Sequence, residues 1–198
     1  MSFDFEKFAN AIENGFKGNC VGYAFVVSFK ENWKVKRAGG QARTLINTPP
    51  LEMITNIQFH TASVSKAITA VALLKVLYLR EDVSLESSFF KFLPSHWQVH
   101  QSLRGISFQQ LLNHTSGFRF SGGLDYAALK KDMAAGVKTA DIGVREYQGE
   151  NFAIMRLLIP DLAKYPVSKN AQGGTGIDIL QAAEYAAYYI DYLQKELF

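Results

Sequence analysis

The sequence predicts an α/β region followed by a mainly helical region. Residues typical of β-strands are concentrated before residue 60, whereas apolar residues at helical spacing dominate after residue 80. An apolar helical segment that begins near Ser63 belongs to the first part, where we expect it to pack on the sheet. Because strands and helices are segregated along the chain, a repeated βαβ plan is not expected. We therefore predict an α/β region over residues 1–80 and a mainly helical region over residues 81–198.

Several elements are predicted in the first region. Residues 3–15 carry apolar side chains at helical spacing and are followed by glycines, which stop helices. Residues 21–29 and 33–38 are rich in β-branched and aromatic side chains and flank a polar turn, which predicts a β-hairpin. Residues 57–59 are a candidate short strand. A helix over residues 63–79 is apolar nearly all round, so we expect it to be buried on most sides.

The second region is predicted to be built from helices. Ser107 is the expected N-cap of a short helix, because a serine hydroxyl can accept a hydrogen bond from a backbone N–H of the first turn. Helical patterns follow at residues 124–135, 150–164 and 177–197, with loops that contain glycine and proline between them. We therefore expect helices to form most of the chain after residue 80.

The composition argues against several classes of function. The chain has 198 residues, of which 48% are hydrophobic, and its net charge of +3 is too small to favour nucleic-acid binding. Cys20 is the single cysteine, so an internal disulfide is impossible. The sequence has no apolar run of the roughly 18 residues that a membrane span needs, and its first residues do not resemble a secretory signal. We therefore expect no nucleic-acid partner and no membrane span. The sequence does not determine the cellular compartment.

The residues best suited to chemistry are Ser63 and Lys66, at the start of the apolar helix. Positions three apart share a helix face, so a hydroxyl and an amine can exchange a proton there. A serine needs a base to become a nucleophile, and desolvation favours the neutral amine that can serve as one. The same spacing recurs at Ser88 and Lys91, but within a short aromatic segment. The alternative for Ser63 is a helix N-cap beside a solvated lysine.

Three segments, in order along the chain, carry a family resemblance. Residues 60–66, His-Thr-Ala-Ser-Val-Ser-Lys, resemble the active-site region of the serine β-lactamase and penicillin-binding-protein superfamily. Residues 106–118 contain Leu-Leu-Asn-His-Thr-Ser-Gly, which is similar to a signature of the branch with class C β-lactamases, D-alanyl-D-alanine peptidases and related carboxylesterases. Residues 145–152 resemble the tyrosine motif of that branch. The resemblance implies a β-lactamase/transpeptidase-like fold.

The resemblance also implies a role for each matching residue. Ser63 matches the acylated nucleophile, Lys66 the residue that activates it, and Tyr147 the group that moves protons to and from the reacting oxygens. His114 matches a supporting position, for which we expect no catalytic role. The implied reaction is acyl transfer to Ser63 followed by hydrolysis, with an ester, a D-amino-acid peptide or a β-lactam as substrate. Neither a metal nor an organic cofactor is expected.

Two departures from the family pattern bear on this function. Gly149 stands where the tyrosine motif usually has an asparagine that holds the acyl-side amide of the substrate, and Asn151 is the candidate replacement for this substrate contact. The Lys/His-Thr/Ser-Gly motif of a C-terminal strand is not found, because residues 174–176 supply Thr-Gly without the cation and precede a helical pattern. In the family this strand also gives a backbone N–H to the oxyanion hole, and losing one such donor costs about 10²–10³ in rate.

The predicted fold therefore lacks the C-terminal strands of its sheet. Three explanations are open: a shortened or cleaved chain, a second chain that supplies the strands, or a helper protein that has lost catalysis. We favour a fragment of a longer enzyme, and we expect the open strand edges to attract the missing segment or a partner. The predicted function is a serine hydrolase that acts through Ser63. The alternative is a non-catalytic binding module or an inactive fragment of such an enzyme.

Overall fold

The computed structural model describes residues 3–58, 60–119, 122–167 and 175–198. The chain divides into two compact units, Met1–Thr61 and Ala62–Phe198. The first contains the sheet, and the second contains only helices among its named elements. The division falls after Thr61 rather than near residue 80, because the helix that follows Ser63 packs on later helices.

The first unit is a three-stranded antiparallel sheet with one helix. Helix α1 (Phe5–Phe16) begins after Asp4, whose carboxylate accepts a hydrogen bond from the backbone N–H of Lys7 at 2.9 Å. The strands lie in the order β1-β2-β3 and comprise β1 (Gly22–Phe29), β2 (Asn32–Arg43) and β3 (Leu51–Glu52). The predicted helix and hairpin are therefore confirmed.

A small apolar core holds this unit together. Ala9 of α1 packs with Val27 and Val35, which face each other in the register of β1 and β2. Phe5, Ile12 and Phe25 are partly buried around these three residues. Because adjacent side chains on a strand point to opposite faces, this register places one apolar row of the hairpin against the helix.

The strand predicted at residues 57–59 is not formed by Ile57 and Gln58. The backbone N–H of Ile57 donates to the carbonyl of Ile54 at 3.3 Å, which is a local turn bond rather than a strand pairing. This part of the prediction was wrong, since the local turn satisfies the backbone that a strand would have used. Phe59 lies outside the described residues.

The second unit is built from helices, as predicted. They are α2 (Ser65–Tyr78), α3 (Phe108–Leu112), α4 (Tyr126–Ala135), α5 (Glu150–Ala153), α6 (Met155–Leu162) and α7 (Thr175–Glu196). The single predicted helix at residues 150–164 is thus divided into α5 and α6 at Ile154. Within the described residues no strand follows Glu52, and the only later β-type contact is an isolated bridge between Ser88 and Ser107.

Helix α2 is buried on one face only. Its buried residues recur every three to four positions, the spacing of a single helix face: Thr69, Ala72, Leu73, Val76 and Leu77. On the other side Val71 is 54% exposed and Leu74 is 45% exposed. The expectation of burial on most sides was therefore wrong, because helices of this unit contact α2 along one stripe. The α-helix begins at Ser65, so Ser63 lies in the preceding 3₁₀ turn, Ala62–Val64.

Helix α3 begins at the predicted cap. The hydroxyl of Ser107 accepts a hydrogen bond from the backbone N–H of Gln110 at 3.2 Å, and the Gln110 side chain accepts from the backbone N–H of Ser107 at 3.0 Å. This reciprocal capping box fixes where the short helix starts. The helix stops at Asn113, and His114 follows with a φ of +58°, which reverses the chain direction.

Helices α4 and α7 are joined by polar contacts. The hydroxyl of Tyr126 donates to the side chain of Gln181 at 2.7 Å, and the Lys130 amine lies 2.9 Å from the Asp178 carboxylate. Buried apolar side chains complete the core, among them Leu73, Phe89, Phe108, Met133, Met155 and Leu158. This packed frame carries both the start of α2 and the loop before α5.

In the described part of the chain, no helix has the length and apolar character needed to cross a membrane.

Candidate active site

Ser63, Lys66 and Tyr147 meet at one point in the helical unit. The Nζ of Lys66 lies 3.3 Å from the Oγ of Ser63, and the phenol oxygen of Tyr147 lies 2.8 Å from the same Oγ. A distance of 2.8 Å is optimal for a hydrogen bond between two hydroxyls, and 3.3 Å is long for one from an amine. The structure thus brings together the three residues that the sequence singled out.

The start of α2 holds Ser63 and Lys66 in place. Lys66 lies in the first turn of α2, and Thr69 lies one turn further along the same helix. The hydroxyl of Thr69 donates to the Ser65 carbonyl at 3.0 Å and shares a hydrogen bond of 2.7 Å with the hydroxyl of Tyr189 on α7. Because Thr69 is buried and bonded to another helix, it anchors the turn that presents Ser63.

Aromatic rings surround the amine of Lys66. Its Nζ lies 5.1 Å from the centre of the Tyr147 ring and 5.9 Å from the centre of the Phe152 ring on α5. A cation within about 6 Å of a ring centre is attracted to the π-electrons. Phe152 is therefore a further residue of this site. In the sequence, only its place within residues 145–152 points to it.

The site favours the ionised form of Tyr147. Hydrogen bonding to Ser63 and to Lys66 lowers the pKa of the Tyr147 phenol below 10, and the charge of Lys66 adds to this effect. Desolvation opposes the shift less strongly than the two hydrogen bonds lower the pKa, and the Tyr147 side chain is 53% exposed. Ser63 is also exposed, so the hydroxyl and the phenol are both accessible from solvent.

The loop that carries Tyr147 is fixed by His114. The backbone N–H of Glu146 donates to the His114 carbonyl at 2.8 Å, and that of Gln148 donates to the His114 Nδ1 at 3.2 Å. The His114 and Tyr147 rings pack with their centres 4.6 Å apart. His114 is buried, which lowers its pKa, and the nearby charges of Arg145 and Lys66 lower it further.

A family model for Beta-lactamase matches residues 8–164 of the chain. The chain belongs to the beta-lactamase family. Two solved structures share its fold. FmtA from Staphylococcus aureus is 16% identical with a TM-score of 0.68, over 94% of this chain and 46% of FmtA. A candidate beta-lactamase from Bacteroides dorei DSM 17855 is 18% identical with a TM-score of 0.55, over 89% of this chain and 57% of that protein.

This beta-lactamase-family chain thus spans about half the length of the solved structures it resembles. A search of the curated proteins gave no match. The fold expected from the sequence is confirmed, because the family model and the shared fold both support it. At identities below 20%, the structural likeness bears on the fold alone.

Asn151 is not positioned to contact a substrate, although the sequence predicted it as the candidate replacement for that contact. Its side chain is 1% exposed, and its Oδ1 accepts a hydrogen bond from the Ser116 hydroxyl at 2.6 Å. Its Nδ2 lies 3.2 Å from the Nδ1 of His114 and 3.3 Å from the Gln148 carbonyl. Because both ends of the amide are engaged inside the protein, Asn151 supports the loop instead of facing a substrate.

Gly149 is covered by Leu124. A Cβ atom at Gly149 would lie 2.8 Å from the Cδ1 and 3.0 Å from the Cδ2 of Leu124, closer than side chains normally approach. The Leu124 side chain is 42% exposed, and its backbone carbonyl accepts a hydrogen bond from Arg156. In this chain, methyl groups therefore occupy the space next to residue 149 that a side chain would need.

The second Ser-x-x-Lys match, which lies within the described residues, forms no further site of this kind. Ser88 caps a 3₁₀ turn and donates its hydroxyl to the Arg104 carbonyl at 2.7 Å, so the second Ser-x-x-Lys match has a structural use. Gly174 lies outside the described residues, and Thr175 begins α7. Within the described ranges, no three His, Cys, Asp or Glu side chains are grouped closely enough to hold a metal ion.

Proposed function

We propose that this beta-lactamase-family chain belongs to a serine hydrolase that forms an acyl-enzyme on Ser63. The observation that carries the proposal is the position of the Ser63 Oγ, within 3.3 Å of the Lys66 amine and 2.8 Å of the Tyr147 hydroxyl. A nucleophile with a proton acceptor and a cation in direct contact is the arrangement that covalent catalysis requires.

The acylation step uses Tyr147 as the base. Once the phenol is ionised, the Ser63 hydroxyl can donate to it, and the proton passes to Tyr147 as the Ser63 Oγ attacks the substrate carbonyl. A tetrahedral intermediate forms and then collapses. The bond from the carbonyl carbon to the leaving group breaks, and Tyr147 returns its proton to the departing oxygen or nitrogen.

Deacylation reverses these roles. A water molecule attacks the ester on Ser63, Tyr147 accepts one proton from that water, and the bond between the carbonyl carbon and the Ser63 Oγ breaks. The proton on Tyr147 then returns to the serine oxygen. The products are a carboxylic acid and the free enzyme, so no redox partner or cofactor takes part.

Lys66 supports both steps as a positive charge beside the reacting oxygens. It bonds the Ser63 Oγ and lowers the pKa of the Tyr147 phenol, which increases the share of phenolate at neutral pH. This role suits an amine that lies between two aromatic rings and the serine. The Phe152 ring adds attraction for the cation and keeps the amine over the site.

The environment of Gly149 favours esters over amides as substrates. An amide substrate has N–H and C=O groups that need partners beside the reacting carbonyl. Residue 149 has no side chain, Leu124 offers only methyl groups, and the Asn151 amide is engaged inside the protein. An acyl group with an alkyl chain would lose no hydrogen bonds in this environment, so small apolar esters are the preferred class.

The alternative function is a non-catalytic binding module that retains the fold. In its favour are Gly149 and the missing cation before the Thr-Gly pair at residues 175–176. The intact contacts among Ser63, Lys66 and Tyr147 favour the enzyme, because binding alone does not require them. The two functions differ in whether Ser63 becomes covalently modified.

A fluorophosphonate probe with intact-mass detection tests the proposal. We expect one adduct per chain, lost in Ser63→Ala and retained in Ser88→Ala. Ser88→Ala is a matched control, because Ser88 also precedes a lysine by three residues but bonds the Arg104 carbonyl. If wild type gave no adduct, or kept it in Ser63→Ala, the binding module would be the better account.

A further inference from the structure

We propose that His114 is a positioning residue that sets the placement of the Tyr147 phenol at Ser63. Its effect on catalysis rests on the proposed function, whereas its effect on Tyr147 can be measured without any reaction. From the sequence we expect only a supporting position for His114, without a catalytic role.

His114 contacts the Tyr147 segment at three points. The residue before the tyrosine, Glu146, donates its backbone N–H to the His114 carbonyl at 2.8 Å. The residue after it, Gln148, donates its backbone N–H to the His114 Nδ1 at 3.2 Å. The imidazole packs against the phenol ring itself, with centres 4.6 Å apart and planes inclined by 35°. The backbone on both sides of Tyr147 and the face of its ring are thus held by one residue.

These contacts matter because Tyr147 has few other constraints. Its side chain is 53% exposed, so packing against the core does not determine where the hydroxyl lies. The hydroxyl must nevertheless remain 2.8 Å from the Ser63 Oγ. A displacement of about 1 Å at a reacting group can lower a rate by about 10²-fold. His114 supplies the restraint that the exposed ring lacks.

His114 is itself firmly placed. It is 7% exposed and has a φ of +58°, a left-handed conformation that non-glycine residues seldom adopt. The Phe152 ring packs against it with centres 5.2 Å apart. The Nδ2 of Asn151 lies 3.2 Å from its Nδ1, and the Ser116 hydroxyl holds the other end of that amide. The buried amide of Asn151 therefore orients the imidazole.

The hydrogen bonds define the protonation state that this role requires. Nδ1 accepts from the Gln148 backbone, so it carries no proton, and in the neutral ring the proton is on Nε2. Burial lowers the pKa of His114, and the facing charges of Arg145 and Lys66 lower it further, so the ring is neutral at neutral pH. Protonation would remove the acceptor for Gln148 and loosen the Tyr147 loop.

Two variants and one control separate positioning from simple structural support. His114→Asn and His114→Gly both remove the ring, and both residue types tolerate a positive φ. His100→Asn is the matched control, because the His100 Nδ1 also accepts a backbone N–H, from Ser102 at 3.2 Å, yet the contacts of His100 do not include Tyr147.

The main readout is the pKa of Tyr147 from NMR of the full chain labelled with ¹³C at tyrosine Cζ. The chain has nine tyrosines, and the loss of one signal in Tyr147→Phe assigns the relevant resonance. We expect His114→Asn and His114→Gly to raise the Tyr147 pKa toward 10, because the phenol leaves Ser63 and Lys66. We also expect fluorophosphonate labelling to slow by about tenfold or more. His100→Asn should change neither.

A folded His114 variant with the wild-type Tyr147 pKa would overturn the proposal. Wild type gives a further test that needs no variant. The Tyr147 signal should shift at the pH where the ¹⁵N signals of His114 show protonation. A Tyr147 signal that does not change at this pH would also overturn the proposal. If His114→Asn raised the Tyr147 pKa while wild type failed to label, the positioning role of His114 would be supported and the hydrolase function would be rejected. If wild type labelled normally and His114→Asn left the Tyr147 pKa unchanged, the hydrolase function would be supported and the positioning role would be rejected.

Discussion

The hydroxyl of Tyr147 lies 2.8 Å from the Oγ of Ser63, although the two residues are 84 positions apart in the sequence. Ser63 is presented by the turn before α2, and Tyr147 by the loop before α5. The pairing is therefore a product of the fold, because no local element connects the two residues. It is also the contact through which the proposed proton transfer takes place.

Replacing Tyr147 with phenylalanine should abolish most of the reactivity and leave the fold intact. The substitution removes the oxygen at Ser63 but keeps the ring that packs on His114. Loss of a general base typically lowers rates by about 10²–10⁴-fold. Fluorophosphonate labelling rates measure the effect, and circular dichroism checks the fold. Labelling of Tyr147→Phe at the wild-type rate would assign the proton transfer to another group.

Lys66 should contribute to the low pH at which Tyr147 ionises. The hydrogen bond with Ser63 is the largest cause of the lowered pKa of Tyr147, and the hydrogen bond and charge of Lys66 lower it further, so the phenolate accumulates at a lower pH than it would without Lys66. The labelling rate should rise with pH as the phenolate forms, and Lys66→Met should move this rise to higher pH. A pH–rate profile paired with tyrosine NMR measures both. An unmoved Tyr147 pKa in Lys66→Met would contradict this role.

His114 should make the protein less stable in mild acid. Its pKa is lowered in the folded state, so below its ordinary value near 6.5 the unfolded chain binds more protons than the folded chain. The free energy of unfolding should therefore fall as the pH drops from 7 to 5. In His114→Asn this dependence should be smaller, although His96, whose pKa is also lowered by burial, keeps part of it. Urea unfolding at several pH values tests this, and an equal slope in both proteins would refute it.

The close contact between Gly149 and Leu124 should appear as a coupling between two substitutions. Gly149→Asn places a Cβ 2.8 Å from the Leu124 Cδ1, so the end of the Leu124 side chain has to move. Leu124→Ala removes the obstructing methyl groups, so the effect of Gly149→Asn on stability should differ between the wild-type and the Leu124→Ala background. Contacting residues commonly show coupling energies of about 0.5–3 kcal/mol. Thermal unfolding of the four proteins measures it, and strictly additive effects would exclude the contact.

The same pair should control substrate preference. With Leu124→Ala present, the amide of Gly149→Asn has room to bond an acyl-side amide of a substrate. We expect the double variant to gain reactivity toward a penicillin-type probe relative to a simple ester, whereas Leu124→Ala alone does not. Intact-mass acylation rates with both probes give this ratio. If the ratio of the two acylation rates did not change, residue 149 would not contact the acyl group of the substrate.

Short motifs predicted the helices, the hairpin and the three residues that meet at the site. These features depend on local spacing: Ser63 and Lys66 lie three apart, and the Ser107 capping box is encoded within four residues. That Tyr147 belongs to the same site was predicted from the family resemblance of three ordered motifs. Hydrophobic periodicity could not have predicted it, because periodicity describes only local structure.

Side-chain direction was the part that the sequence did not predict. Asn151 turns inward because Ser116 and His114 are buried and need hydrogen-bond partners. Leu124 covers Gly149 from a different loop, a contact that residue 149 cannot reveal by itself. The exposed side of α2 was missed for a related reason, because an all-round apolar pattern does not say which faces other elements cover.

The most direct measurement is the mass of the chain during reaction with a small p-nitrophenyl ester, followed by peptide mapping. We expect a burst of one p-nitrophenolate per chain and one acyl group, located on the peptide that contains Ser63. Both should be lost in Ser63→Ala and retained in Ser88→Ala. Turnover without an acylated intermediate, or an acyl group on another residue, would contradict acylation of Ser63.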